Sequence, residues 1–253
     1  MNSSLSKLKI LITLLLLSSL SVGCDEKNSV VISGNTSKAS TGSESNLSPV
    51  KILALGDSIT QGGEGYPSYR RNLWFLLQDA GYSVDFVGSQ KSFEGRVSSD
   101  LEDFDLDHEG HWAWELGEID SRLEDWLEDY TADIVLLHGG TNDFDRGQSN
   151  DSTILELDSI VDKLRNDNAD VIILIAKIIP MKNKDTDSFN KRIAEFIELK
   201  DTDSSPVLMV DQYQGYDPIS DNHDNYHPNS IGEKKVAKKW FKALRNVLDS
   251  IAD

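Results

Sequence analysis

One cysteine, Cys24, stands in 253 residues. No disulfide can form within the chain, so a folded region must be held by packing, which about 200 residues can supply. Cationic residues are scarce as well: 25 Lys and Arg face 43 Asp and Glu, a formal net charge of −18. Such a field repels phosphate backbones and anionic headgroups, which argues against a nucleic-acid partner. It is compatible with a neutral polysaccharide or an uncharged ester and does not choose between them. The chain also lacks an apolar run long enough to span a bilayer securely, and it has no internal repeat.

What is present begins with a targeting segment. Lys7 and Lys9 precede the apolar stretch Ile10 to Leu17, and small residues lead to Gly23-Cys24. Ser21-Val22-Gly23-Cys24 resembles a bacterial lipoprotein processing site, at which the cysteine is lipidated and becomes the mature N-terminus. The alternative is an ordinary cleaved secretory signal. Either sends the protein out of a bacterial cytoplasm, lipid-anchored to a cell membrane or secreted or periplasmic. Residues 25–49 are rich in Ser, Asn, Gly and Thr with little to bury, the composition of a flexible tether. One folded domain is expected over 50–253.

Within that domain short apolar runs alternate with helix-length amphipathic stretches, the pattern of βαβ units. Strands are expected at Val50 to Leu55, Ser83 to Val87, Asp133 to Leu137, Val171 to Ala176 and Val207 to Val210. Helices are expected near 68–80, 117–129, 153–167, 187–199 and 230–250. Runs such as Val171-Ile172-Ile173-Leu174-Ile175 do not alternate, so both faces of their strands are covered, as in a parallel sheet. Ligands of such sheets bind beyond the carboxyl ends of the strands. Three polar fragments fall in loops there: Gly56-Asp57-Ser58, Gly140-Thr141-Asn142-Asp143 and Asp224-Asn225-Tyr226-His227-Pro228.

These fragments suit nucleophilic chemistry. A serine hydroxyl needs a base, usually an imidazole whose other nitrogen is held by a carboxylate. Ser58 follows an apolar run, and Asp224 lies three residues before His227, close enough to reach its ring; Asp221 and His223 are rivals for those roles. An oxyanion needs donors fixed in advance, and Asn142, the Ser58 N–H and an N–H in the Trp112-Ala113-Trp114 turn are candidates. The histidines of His108-Glu109-Gly110-His111 are three apart, where a zinc-protease helix requires four, so no metal is expected. His138 is read as a buried or lining histidine. Trp112 and Trp114 suit either stacking on a sugar ring or the core.

The fragments, in this order, resemble the SGNH hydrolases, also called the GDSL esterase and lipase superfamily, over nearly all of residues 50–250. Further stretches are similar to the family 3 carbohydrate esterases, the acetyl xylan esterases: Gly56 to Gly63, Tyr69-Arg70 with Leu73, Ala80 to Gln90, and His108 to His111. The resemblance implies a flavodoxin-like three-layer α/β/α sandwich with a five-stranded parallel sheet. It makes Ser58, Asp224 and His227 the catalytic residues and Ser58, Ala113 and Asn142 the oxyanion hole, with Asp57, Trp112 and Trp114 beside the substrate. The second block usually reads Ser-Gly-Trp, and Ala113 stands where that glycine would be; Gly110 is the alternative donor. The expected protein is a monomeric serine esterase without cofactor that removes short acyl groups, O-acetyl foremost, from poly- or oligosaccharide. It would meet a membrane only through the anchor at Cys24. A lysophospholipase or thioesterase, or a non-catalytic glycan-binding surface protein, are the competing readings.

Overall fold

The computed structural model describes residues 48–63, 65–96 and 98–252. The expected leader, Cys24 and the tether as far as residue 47 lie outside the described residues. The folded domain opens with strand β1 (Val50–Gly56), which leads into a one-turn helix α1 (Ser58–Gln61) and then α2 (Ser68–Asp79). The chain continues through β2 (Val84–Val87), the two-residue β3 (Glu109–Gly110), α3 (Leu116–Leu127), β4 (Ile134–His138) and a short α4 (Thr141–Arg146). It closes with α5 (Asn150–Asp167), β5 (Ile172–Ala176), α6 (Asp187–Lys200), β6 (Val207–Val210) and α7 (Ser230–Ala252).

All the strand pairs are parallel. The main order is β2-β1-β4-β5-β6, and β3 adds two residues alongside β1. Alternation that is hidden in the apolar runs becomes visible once both faces are occupied. Leu53, Leu55, Val135, Leu137, Ile173 and Ile175 join the core under α3, α5 and α6. Their neighbours Ile52, Ile134, Leu136, Leu174 and Ala176 join a second core with Leu73 and Leu77 of α2 and Trp240 and Leu244 of α7. Successive side chains point to opposite faces, so a strand covered on both sides must be apolar at every position. The sandwich is thus three layers deep, and each of the five expected strands and five expected helices has a counterpart.

The strand order reverses between β1 and β4, and at such a switch point a crevice opens at the carboxyl ends of the strands, the place for a site. Gly56 ends β1 where no side chain fits: a Cβ would lie 2.0 Å from the His138 carbonyl oxygen. The two strands approach closely, and the residues that follow them, Ser58 and Asn142, come to one side of the sheet.

Candidate active site

Asp57 terminates the strand and starts α1, its carboxylate accepting the Ile59 N–H at 3.0 Å. Ser58 is therefore the first residue of the helix, where a backbone N–H has no intrahelical acceptor. The short helix is fastened from outside. Buried Arg70 on α2 donates to the carbonyls of Thr60 and Gln61 at 2.9 and 3.0 Å and to that of Leu106 at 2.8 Å. Burial lowers its guanidinium to about 10, still charged at neutral pH.

The loop before α7 brings an imidazole to Ser58. Ser58 Oγ lies 2.9 Å from His227 Nε2, and His227 Nδ1 lies 2.6 Å from Asp224 Oδ2. Asp224 Oδ1 accepts the backbone N–H groups of Tyr226 and His227, each at 2.7 Å. Desolvation pushes the Asp224 carboxyl up, but the His227 ring and these two N–H groups outweigh it and hold the acid below its ordinary value. The loop is closed by His223 N–H on the His227 carbonyl at 3.0 Å and Asn229 N–H on the Asp221 carbonyl at 2.8 Å. Asp221 is buried and paired with Lys235 at 2.6 Å, so it does not reach the imidazole in place of Asp224. His223 stays on the rim, its ring centroid 5.8 Å from that of His227.

A third segment, the turn between β3 and α3, supplies donors. His111 N–H binds the Gly56 carbonyl at 2.9 Å and Trp112 N–H binds Gln61 Oε1 at 2.7 Å. Arg146 Nη2 donates to the Ala113 carbonyl at 2.8 Å, and Asn142 Nδ2 to that of Trp114 at 2.7 Å. So fixed, Ala113 adopts φ of 64°, a left-handed conformation rare for a residue with a Cβ. Its N–H has no acceptor among the described residues. The Asn142 amide spends one hydrogen on Trp114, and its other hydrogen has no acceptor among the described residues. Gly110, the alternative donor, gives its N–H to His108 Nδ1 at 2.9 Å inside the β3 pairing, whereas Ala113 lines the same cavity as Ser58 and Asn142.

Two of the residues expected beside the substrate are elsewhere. Asp57 is fully buried and faces His138 and Ile59, because a helix N-terminus needs its carboxylate. Burial pushes that carboxyl up, opposed chiefly by His138. Trp114 packs against the core and stacks on His111 at 4.4 Å, giving the site only its carbonyl. Trp112 does line the site, with its ring 4.5 Å from that of His227 and inclined by 19°.

Several positioning residues were not singled out by sequence. Glu109 is wholly buried and accepts from Ser89 N–H and Oγ, from Tyr130 Oη and from His111 Nε2, at 2.6 to 2.8 Å. The His111 ring lies between Trp114 and Trp126, 4.4 and 4.5 Å away. Asp143, next to Asn142, accepts the Leu116 N–H on both oxygens and so caps α3; burial pushes it up to about 7. Only the Gly-Thr-Asn-Asp string hinted at such a partner, since the acceptor and its donor lie 27 residues apart.

Two cavities flank the Ser58 hydroxyl. One of about 20 Å³ lies among Ile59, Gly62, Tyr66, Trp112 and His227. The other, about 200 Å³, is bordered by Ala113, Asn142, Asp145, Arg146 and Tyr226.

Comparison with known proteins gives a consistent picture. The profile of the GDSL-like lipase/acylhydrolase family matches residues 54–235. A multidomain esterase of Ruminococcus flavefaciens is 30% identical over 226 residues, which cover 79% of this chain and 29% of that protein. The chain thus spans under a third of the length of this relative. An acetyl esterase solved with an acetate ion is similar at a TM-score of 0.72 with 30% identity, over 80% of this chain and 99% of the other. A family 3 carbohydrate esterase of Clostridium thermocellum gives 0.71 and 32%, over 81% and 100%.

Proposed function

The chain belongs to the GDSL-like lipase/acylhydrolase family, a family of serine ester hydrolases, and on that premise we propose that it removes short acyl groups, O-acetyl foremost, from carbohydrate. Ser58 Oγ attacks the ester carbonyl carbon while His227 Nε2 takes its proton, and Asp224 stabilises the imidazolium that forms. The oxyanion accepts from the N–H groups of Ser58 and Ala113 and from Asn142 Nδ2. His227 returns the proton to the departing sugar oxygen as the C–O bond breaks, leaving an acyl-Ser58 ester. Water, deprotonated by His227, attacks that ester and releases the carboxylate and Ser58.

The observation that carries the acyl preference is the 20 Å³ cavity beside Ser58. A space of about one water beside the nucleophile suits a methyl group and favours short acyl chains. The wider cavity, with Arg146, Asp145 and Tyr226 at its border, offers the polar groups a sugar requires. The likeness to a family 3 carbohydrate esterase and to an acetyl esterase supports the same substrate.

The test is acyl-chain profiling on p-nitrophenyl esters, with acetate release from acetylated xylo-oligosaccharides, in the wild type and in Ser58→Ala. Activity is expected to peak at C2 and to vanish in Ser58→Ala. A peak beyond C8, or cleavage of lysophospholipid, would replace the carbohydrate reading with a lipid one. An active Ser58→Ala protein would remove the mechanism altogether. Export with a lipid on Cys24 is part of the same proposal, supported by the sequence of residues 1–24. Expression of Cys24→Ser should turn a membrane-bound protein into a soluble one.

A further inference from the structure

We propose that His223, Asp224 and His227 form a binding site for a divalent transition-metal ion of the zinc class, and that the bound ion reversibly switches off the serine. The proposal rests on the catalytic reading given above. One ligand atom from each residue lies within 4.8 Å of the others. Two imidazoles and a carboxylate form an N2O set, which suits zinc, copper or nickel and leaves a fourth position for water. The set is reachable and held in place. His223 is exposed on the rim, and its ring stacks on Tyr66 at 4.4 Å with 12° between the planes. A chain of net charge −18 also draws divalent cations toward its surface.

The structure specifies how such an ion would act. His227 Nδ1 and Asp224 Oδ2 are 2.6 Å apart, and in the tautomer that general-base catalysis requires, Nδ1 carries the proton and Nε2 the lone pair. Tetrahedral zinc bonds of about 2.0–2.2 Å put two ligand atoms about 3.4 Å apart, so the pair must open by less than 1 Å. The ion takes the place of that proton, and the proton moves to Nε2. No proton is lost, but the tautomer is reversed. Ser58 Oγ, 2.9 Å from Nε2, then faces an N–H in place of a lone pair and has no base. Calcium and magnesium, which prefer all-oxygen shells, bind poorly to such an N2O set.

Esterase activity on a C2 ester is measured against Zn²⁺, Ca²⁺ and Mg²⁺, with each variant referred to its own metal-free rate. Zn²⁺ is expected to inhibit, EDTA to restore activity, and Ca²⁺ and Mg²⁺ to leave it unchanged. Loss of a first ligand should raise the half-inhibitory Zn²⁺ concentration of His223→Ala by about tenfold or more. Calorimetry supplies a readout independent of catalysis: Ser58→Ala should bind one Zn²⁺ per chain, and Ser58→Ala/His223→Ala should not. A wild type without esterase activity would defeat the catalytic reading while calorimetry still decided the metal site. Equal inhibition of His223→Ala, equal potency of Ca²⁺, or an isotherm unaltered by the loss of His223 would each overturn the metal site.

Discussion

Ala113→Gly should stabilise the protein and leave its catalysis almost unchanged. The Ala113 backbone is left-handed, with φ of 64°, which costs an L-residue roughly 1–2 kcal/mol. Glycine relieves that strain, but its greater freedom in the unfolded chain costs about 0.4–1 kcal/mol. The methyl is only half-buried, so little packing is lost. The balance is a gain of about 0.5–1 kcal/mol, or a rise in Tm of about 1–4 °C for a domain of this size. The N–H stays in place because the turn is tied at Gly56, Gln61, Arg146 and Asn142. Consequently kcat/KM should remain within about threefold, under 1 kcal/mol of transition-state stabilisation. Ala113→Val is the counter-test, since a β-branched residue in this region is far more strained. Urea unfolding and kinetics on a C2 ester measure both effects. A glycine variant destabilised by more than about 1 kcal/mol, or a valine variant as stable as wild type, would refute the reasoning.

Asn142→Ala removes a side-chain donor to the oxyanion and should lower kcat by about a hundred- to a thousandfold with little change in KM, seen in steady-state kinetics. Glu109→Gln turns one buried acceptor into a donor facing Ser89, Tyr130 or His111, and should cost about 3 kcal/mol in urea unfolding; an unchanged midpoint would contradict the network. Glu233, buried in the first turn of α7, has its carboxyl raised by burial to about 8. A raised folded-state pKa gives stability that is complete below the unfolded pKa and is lost as pH rises through 8. Urea midpoints should therefore fall between pH 5 and 8, and fall less in Glu233→Gln. Gly140→Ala places a Cβ 2.6 Å from the Phe189 ring at φ of 95°, so it should be strongly destabilised, as thermal unfolding would report.

Much of the site was legible because its residues sit where local structure changes. Ser58 follows an apolar run, and Asp224 lies three residues before His227, near enough to reach its ring, though the same spacing left Asp221 and His223 as rivals until the Lys235 pairing removed Asp221. The strands were legible from their lack of alternation, and β6 from Val207 to Val210 agrees residue for residue. Short elements were not: α1, β3 and α4 carry too few residues for any period to show, yet they hold Ser58, Gly110 and Asn142. Asp57 and Trp114 were misassigned for the opposite reason. An acid and an indole beside a nucleophile look available to substrate until a helix cap takes one and a stack with His111 takes the other.

The order of apolar and polar residues along the chain determined the layer architecture, the placing of Ser58 at the end of β1 and the pairing of Asp224 with His227, because burial and short-range hydrogen bonding act over a few neighbouring positions. Tertiary structure alone decided that Ala113 borders the same cavity as Ser58 and Asn142, and how small the space on the other side of Ser58 is. Each of these depends on segments far apart in sequence meeting at fixed distance, and only the packed sheet and its helices set that distance.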